Sequence, residues 1–379
     1  MSRTKRDFRF LPLFFFAACL AACWGSLGLV FAQELQQRQQ TAVQRGIDYL
    51  RHQGQADDGS FSSQTGSAVT ALVITAILEN RPQAISDPMI TRAFQYLESN
   101  IRDDGGIYSL GSMYRNYETS LAVLAFKRGN ENGRYDPILN NADRFLRGIQ
   151  WTEDQGVDPS NPAYGGAGYG THKRPDLSNT SFMIEALREL GAAEDDEAIQ
   201  KALVFVSRTQ NLESAANDTP FAARVDDGGF YYTPAAGGQS QAGQTPGGGL
   251  RSYGSMTYAG LKSMIYAGVE SDDPRVQAAL KFIQDNYSVE INPGMGTAGL
   301  FYYYHTFAKA LDVAEIKTLE IRGGEQRDWR GELTAMLLKH QQPSGAWLNV
   351  ANERWMEGDV NLVTAYALLA LARSAENGS

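Results

Sequence analysis

Six times along this chain a helical segment with one apolar stripe is followed by a glycine turn, and then by a helical segment that is apolar nearly all round. The striped segments carry apolar triplets at i, i+4 and i+7: Val43, Ile47, Leu50; Ile90, Phe94, Leu97; Ile138, Ala142, Phe145; Ile199, Leu203, Val206; Val276, Leu280, Ile283; and Trp329, Leu333, Met336. Such spacing puts three side chains on one face of an α-helix and leaves the other face polar. The turns are Asp57-Asp58-Gly59, Asp103-Asp104-Gly105-Gly106, Gly165-Gly166, Asp226-Asp227-Gly228-Gly229, Gly294-Met295-Gly296 and Ser344-Gly345. The apolar segments follow at 68–78, 119–126, 180–190, 256–266, 301–311 and 362–371. A helix without a polar face must be buried on all sides, so these six are expected to form an inner ring wrapped by the striped ones. An open solenoid needs polar terminal repeats, yet the first and last apolar segments are equally greasy. The ring is therefore expected to close, first repeat against sixth. The fold class is all-α: an (α/α)6 toroid of six helical-hairpin repeats over residues 42–375, with 376–379 as a tail.

Ahead of the repeats, Arg3, Lys5, Arg6 and Arg9 precede an uncharged, largely apolar stretch at 10–32. That is the order of an export signal. Three fates are open: cleavage after Ala32, acylation at Cys23 within Leu20-Ala21-Ala22-Cys23, or retention as a membrane anchor, since the run is long enough to span a bilayer. The expected location is outside the cytoplasm, in the periplasm, with membrane contact only through this segment. Residues 33–41 read as a linker. Both cysteines, Cys19 and Cys23, lie in the leader, so cleavage leaves no thiol for catalysis or for a zinc site. A formal net charge of −9 without a run of like charge argues against nucleic-acid binding.

Gln341-Gln342-Pro343-Ser344-Gly345-Ala346-Trp347 resembles the glutamine–tryptophan turn of the prenyltransferase and squalene oxidase repeat family, and the stretch from Gln53 through Asp58-Gly59-Ser60-Phe61 is similar with Phe for Trp. Stretches 174–180, 253–257 and 299–306 look like an exported bacterial branch of that family. The resemblance implies the toroid shared by triterpene cyclases and protein prenyltransferases. It does not carry their chemistry across. The cyclases' Asp-x-Asp-Asp acid is missing, because the acidic doublets at 57, 103, 195, 226 and 272 all lack the Asp two positions earlier. Zinc-dependent prenyl transfer needs a Cys ligand, and His52, His172, His305 and His340 show no paired metal spacing. Gly323-Gly324-Glu325-Gln326 is similar to an internal thioester sequence but has Gly where the thiol belongs. No metal and no other cofactor is expected.

The N-terminal ends of the inner helices should point into one mouth, where free N–H groups and the positive end of each dipole gather. The polar residues there are Glu118, Asp176 with Asn179, Tyr253, Tyr302 to His305, and Asp359 with Asn361. For the Asp and Asn residues capping is one reading and ligand contact the other. In Phe301-Tyr302-Tyr303-Tyr304-His305 at least one hydroxyl must face inward, and Trp355 beside Arg354 adds a stacking surface. Asp176, His305 and Tyr304 are the candidate acid, base and stabiliser of an enzymatic reading. The connection 213–253, with its glycines between Gly237 and Gly249, is expected as a flap over one rim. These residues suit an exported scaffold that holds an apolar, amphipathic or sugar-like small molecule in its cavity, or docks a partner protein at its rim. The alternatives are an enzyme acting on an extracytoplasmic lipid or polysaccharide, and a terpenoid cyclase-like enzyme with a non-standard acid.

Overall fold

The computed structural model describes residues 33–170 and 174–375. The leader 1–32, His172 and the tail 376–379 lie outside the described residues. In chain order, α1 (residues 33–49) leads into α2 (Ala68–Asn80), α3 (Pro88–Ser99) into α4 (Arg115–Arg128), and α5 (Asp136–Gly148) into α6 (Leu177–Leu190). Next, α7 (Glu197–Arg208) leads through the one-turn α8 (Ala222–Val225) into α9 (Gly254–Tyr266), and α10 (Pro274–Asp285) into α11 (Leu300–Val313). A two-stranded hairpin, β1 (Leu319–Glu320) with β2 (Gln326–Arg327), precedes α12 (Trp329–His340) and α13 (Val360–Ser374). Residues 33–41, read from sequence as a linker, are instead the first turns of α1. None of the described helices is long and apolar enough to cross a membrane.

The inner ring runs α2, α4, α6, α9, α11, α13 and closes where α13 packs on α2. The outer helices start on strong signals. Asp87, Asp196, Asp273 and Asp328 each accept a backbone N–H at the start of α3, α7, α10 and α12, and Pro88 and Pro274 occupy the first turn where no N–H is needed. Most stripe positions are buried, but Ile138, Leu203, Leu280 and Met336 are half-buried, and the neighbouring Leu139, Ala202, Ala279 and Leu337 face the core in full.

One brace recurs where each outer helix turns into its inner partner. In five of the pairs a residue of the turn donates its backbone N–H to a threonine Oγ1 in the first turns of the inner helix: Phe61 to Thr70, Ile107 to Thr119, Ala167 to Thr180, Phe230 to Thr257 and Trp347 to Thr364, at 2.9–3.1 Å. In four of them a glutamine Nε2 bridges the turn's glycine carbonyl and the carbonyl of a neighbouring outer helix. These are Gln55 (Gly59 and Met89), Gln150 (Gly165 and Ala198), Gln210 (Gly228 and Arg275) and Gln341 (Gly345 and Ala42). The glutamine of the first turn is thus Gln55, two residues on from Gln53. Trp347 is fully buried and donates its indole N–H to the Leu337 carbonyl at 2.8 Å.

The inner helices are buried on all sides, but they are not apolar all round. Each turns a narrow stripe toward the axis at three- and four-residue spacing, and several stripes are charged: Phe182 and Glu185 on α6; Tyr302, His305 and Lys309 on α11; Tyr366, Leu369 and Arg373 on α13. These stripes stack into layers. All six inner helices begin at one end of the barrel, called here the upper face. α1 runs the other way, with Gly54 beside Asn361 at the upper face and Gln39 bonded to the Leu371 carbonyl near the end of α13.

Candidate ligand-binding site

At the upper face the barrel axis opens into a cup of about 340 Å³, within the range of small-molecule sites. Every inner helix contributes from its first two turns: Ala68 and Val69, Tyr117, Ser178 with Asn179 and Phe182, Ser255 with Met256, Tyr302, and Leu362 with Tyr366. Loops supply the rest of the wall, namely Thr65, Tyr114, Tyr169, Tyr232, Gln241, Tyr253, Trp355 and Met356. Aromatic rings and hydroxyls dominate, and no carboxylate, ammonium or guanidinium group is among the described lining residues.

The floor is an aromatic plate tied by its own hydroxyls. Tyr117 and Tyr366 share a hydrogen bond of 3.0 Å, and Tyr302 meets Ser178 at 2.8 Å. Phe182 stands edge-on to Tyr117 at 5.2 Å. Directly beneath lies a buried ion layer in which Glu185 pairs with Lys262 and, at 3.1 Å, with Lys309. Lys262 also sits under the Phe182 ring, 5.6 Å from its centre. The two ammonium groups hold the Glu185 carboxyl well below its ordinary range against the opposing effect of burial. The next layer down, near the inner-helix C-termini, joins Arg128 to Glu79 and Glu189 and Arg373 to Glu79 and Asp312. Cations at these C-terminal ends face the negative ends of the helix dipoles. Glu79, Arg128, Asp312 and Arg373 line a polar hollow on the lower face, and between it and the cup lies a space of about 10 Å³, roughly one water, walled by Glu185, His305 and Lys309. The toroid is a cup, not a through-channel.

The residues singled out from sequence divide between wall and scaffold. Asn179, Tyr253, Tyr302 and Trp355 line the cup. Glu118 is fully buried at the start of α4, where its carboxylate accepts from Ser67 N–H and Oγ, Ser109 N–H and the Ser112 hydroxyl, so it serves as the cap of α2. Asp359 caps α13 by accepting Leu362 N–H at 2.9 Å and is bonded to Ser62, which also receives Asn361. Asp176 caps α6 through Asn179 N–H at 3.0 Å. Burial pushes Asp176 up to about 6, partly offset by hydrogen bonds from Asn179 and Tyr232.

His305 lies one turn below the floor, stacked on Tyr366 at 5.7 Å. Burial drives it down to about 3, so the imidazole is neutral, and its Nδ1 finds no partner among the described residues. Tyr304 turns outward and donates to the Val289 carbonyl at 2.7 Å. Asp176, His305 and Tyr304 therefore occupy three separate environments. A residue the sequence reading passed over, Glu357, is fully buried, accepts Tyr302 N–H at 2.8 Å and Asn349 Nδ2 at 2.6 Å, and is pushed by burial up to about 7. The ion layer was also passed over. The sequence shows Glu185, Lys262 and Lys309 as charges inside largely apolar helices, but it does not show that they meet.

Segment 213–253 folds back over the rim and is built in by side-chain bonds, among them Thr233 to the Pro175 carbonyl at 2.7 Å and Ser240 to the Arg251 carbonyl at 2.5 Å. Around the mouth, apolar side chains stand exposed on the loops that enter inner helices: Leu110, Met113, Tyr114, Val350, Trp355 and Met356. Trp355 and Met356 both have left-handed backbone, with φ of 57° and 66°.

No protein-family model matches the sequence, and no curated protein matches it. Solved structures do. A single-residue variant of the type II terpene cyclase MstE from Scytonema, in complex with geranylgeranyl dihydroxybenzoate, superposes with a TM-score of 0.55 at 11% identity, covering 90% of this chain and 99% of that one. A second MstE variant, in complex with merosterolic acid A, gives 0.54 at 12% identity over 90% of this chain and 98% of that one. The fold is that of the terpene cyclase toroid. The apo form of MstE matches at 0.52 and 11% identity over 89% of this chain and 98% of that one. At these identities the likeness concerns backbone architecture alone.

Proposed function

We propose that this is an exported binding protein of the prenyltransferase and squalene oxidase repeat type, which takes a small amphipathic molecule, with an apolar body and few polar groups, into the upper cup. The observation that carries the reading is the lining itself. About 340 Å³ is walled by tyrosines, Phe182, Met256, Trp355 and small apolar side chains, and the polar groups among the described lining residues are hydroxyls, amides and one indole N–H. A charged body would meet no partner there and would lose its hydration. An apolar body fits, and scattered hydroxyls can orient it. Support comes from the toroid relatives, whose bound molecules are a prenylated dihydroxybenzoate and merosterolic acid A. Export rests on the basic and then apolar order of residues 3–32.

The cyclase alternative is weaker on physical grounds. Protonating an alkene calls for a strong acid that touches the substrate, whereas Asp176 lies outside the lining and its affinity for a proton is raised. Native mass spectrometry of the purified chain, with analysis of its organic extract, tests the binding reading directly. A fluorescent apolar probe should bind the native protein and be excluded by Met256→Trp, which fills the cup. Equal probe binding by native protein and variant would remove the cup from consideration.

A further inference from the structure

The cup's wall is neutral, but its mouth is not. Arg174, just before α6, and Arg354, in the loop before α13, come to the rim from different repeats. Each lies over an aromatic ring of the wall: Arg174 is 5.2 Å from the centre of Tyr232, and Arg354 is 4.2 Å from that of Trp355. Each donates to a neutral amide of the rim segment, Arg174 to Gln239 Oε1 at 2.5 Å and Arg354 to Gln241 Oε1 at 2.9 Å. Gln239 and Gln241 are two residues apart, a separation of at most about 7 Å of chain. The two guanidinium groups thus converge on one short stretch of the mouth. Among the described residues neither guanidinium has an ion-pair partner within 4 Å, and Arg354 stands exposed to solvent. Of the carboxylates nearest the mouth, Asp176 is bonded to Asn179 and feels the charge of Arg174 without contacting it, Glu357 is held by Tyr302 N–H and Asn349, and Asp359 by Leu362 N–H.

We infer that Arg174 and Arg354 form a head-group clamp, so that the molecule held in the cup is an anionic amphiphile whose carboxylate or phosphate lies between the two guanidinium groups while its apolar body occupies the tyrosine-lined space. A guanidinium presents a planar fork that matches either anion bidentately, and the amide oxygens of Gln239 and Gln241 are weak acceptors that an anion displaces at a gain. Stacking on Tyr232 and Trp355 holds both forks at the rim with little freedom to lose on binding.

This inference rests on the reading of the cup as a binding site for an amphipathic molecule, and one titration series separates the two. Dodecanol, dodecanoate and dodecyl phosphate are titrated into the full chain by calorimetry, at low and at high salt. The native protein should bind both anions roughly tenfold or more tighter than the alcohol, with the preference shrinking in salt. Arg174→Gln with Arg354→Gln should bind the alcohol unchanged and lose the preference, while Arg354→Lys should keep only part of it. If the alcohol and the anions bind equally, or if the doubly substituted protein keeps its preference, the clamp is wrong and the cup stands. If none of the three binds, both readings fall. A preference for dodecanoate alone or for dodecyl phosphate alone identifies which anion the clamp takes.

Discussion

Glu357 shows how much a single side chain can carry when it is buried at a helix start. It holds the first turn of α11 by accepting Tyr302 N–H, and burial raises it from the ordinary 4.5 to about 7. The folded chain therefore keeps a proton that the unfolded chain has already lost. The stabilisation is complete below pH 4.5 and disappears as pH rises through 7. Asp176 acts with the same sign between 3.8 and about 6, and His305 with the opposite sign, because its folded form stays neutral down to about 3. Glu357→Gln isolates one of these contributions. The native protein should lose roughly 2 kcal/mol of stability relative to this variant between pH 4.5 and 7.5, as read from urea midpoints. A gap that stays constant across this range would mean that the Glu357 carboxyl is not raised.

Among the elements, the six helix pairs could be read from sequence because the stripe and the glycine turn both have short periods. Val43, Ile47 and Leu50, or Val276 and Ile283, repeat within one helix and need no knowledge of their neighbours. The lumen could not be read this way. Glu185, Lys262 and Lys309 lie on three different helices, and only the ring brings them within ion-pair distance. The cup wall was legible where tyrosines open an inner helix, as with Tyr253 and Tyr302. It was not legible at Tyr232, Gln241 or Tyr366, which arrive from a long loop or from one turn further in. The brace offers a sharper test of the turn. Gly345 has φ of 94°, and a Cβ there would overlap the Arg45 carbonyl. Gly237 has φ of 86°, and a Cβ there would meet nothing. Gly237→Ala should cost about 1 kcal/mol for backbone strain alone, and Gly345→Ala at least about 1 kcal/mol more, compared by urea unfolding. Equal costs would mean that α1 gives way at the turn.

For the whole molecule, closure makes the position of the chain ends arbitrary. Gln39 in α1 reaches the Leu371 carbonyl in α13 at 2.7 Å, so the first and last described helices meet at the lower face. A permuted chain that joins residue 375 to residue 33 through a glycine–serine linker and opens between α6 and α7, at residues 191–195, should unfold in one cooperative transition. Its stability should lie within about 1 kcal/mol of the parent's when the two are compared by circular dichroism in urea. Two separate transitions would show that the sixth repeat does not complete the first.

The direction of α1 sets the bearing of the whole barrel. Its first turn is at the end of the barrel away from the aromatic cup, so a leader kept in a bilayer, or a lipid attached at Cys23, would moor the protein by its charged underside. The opening would then look outward into the aqueous compartment.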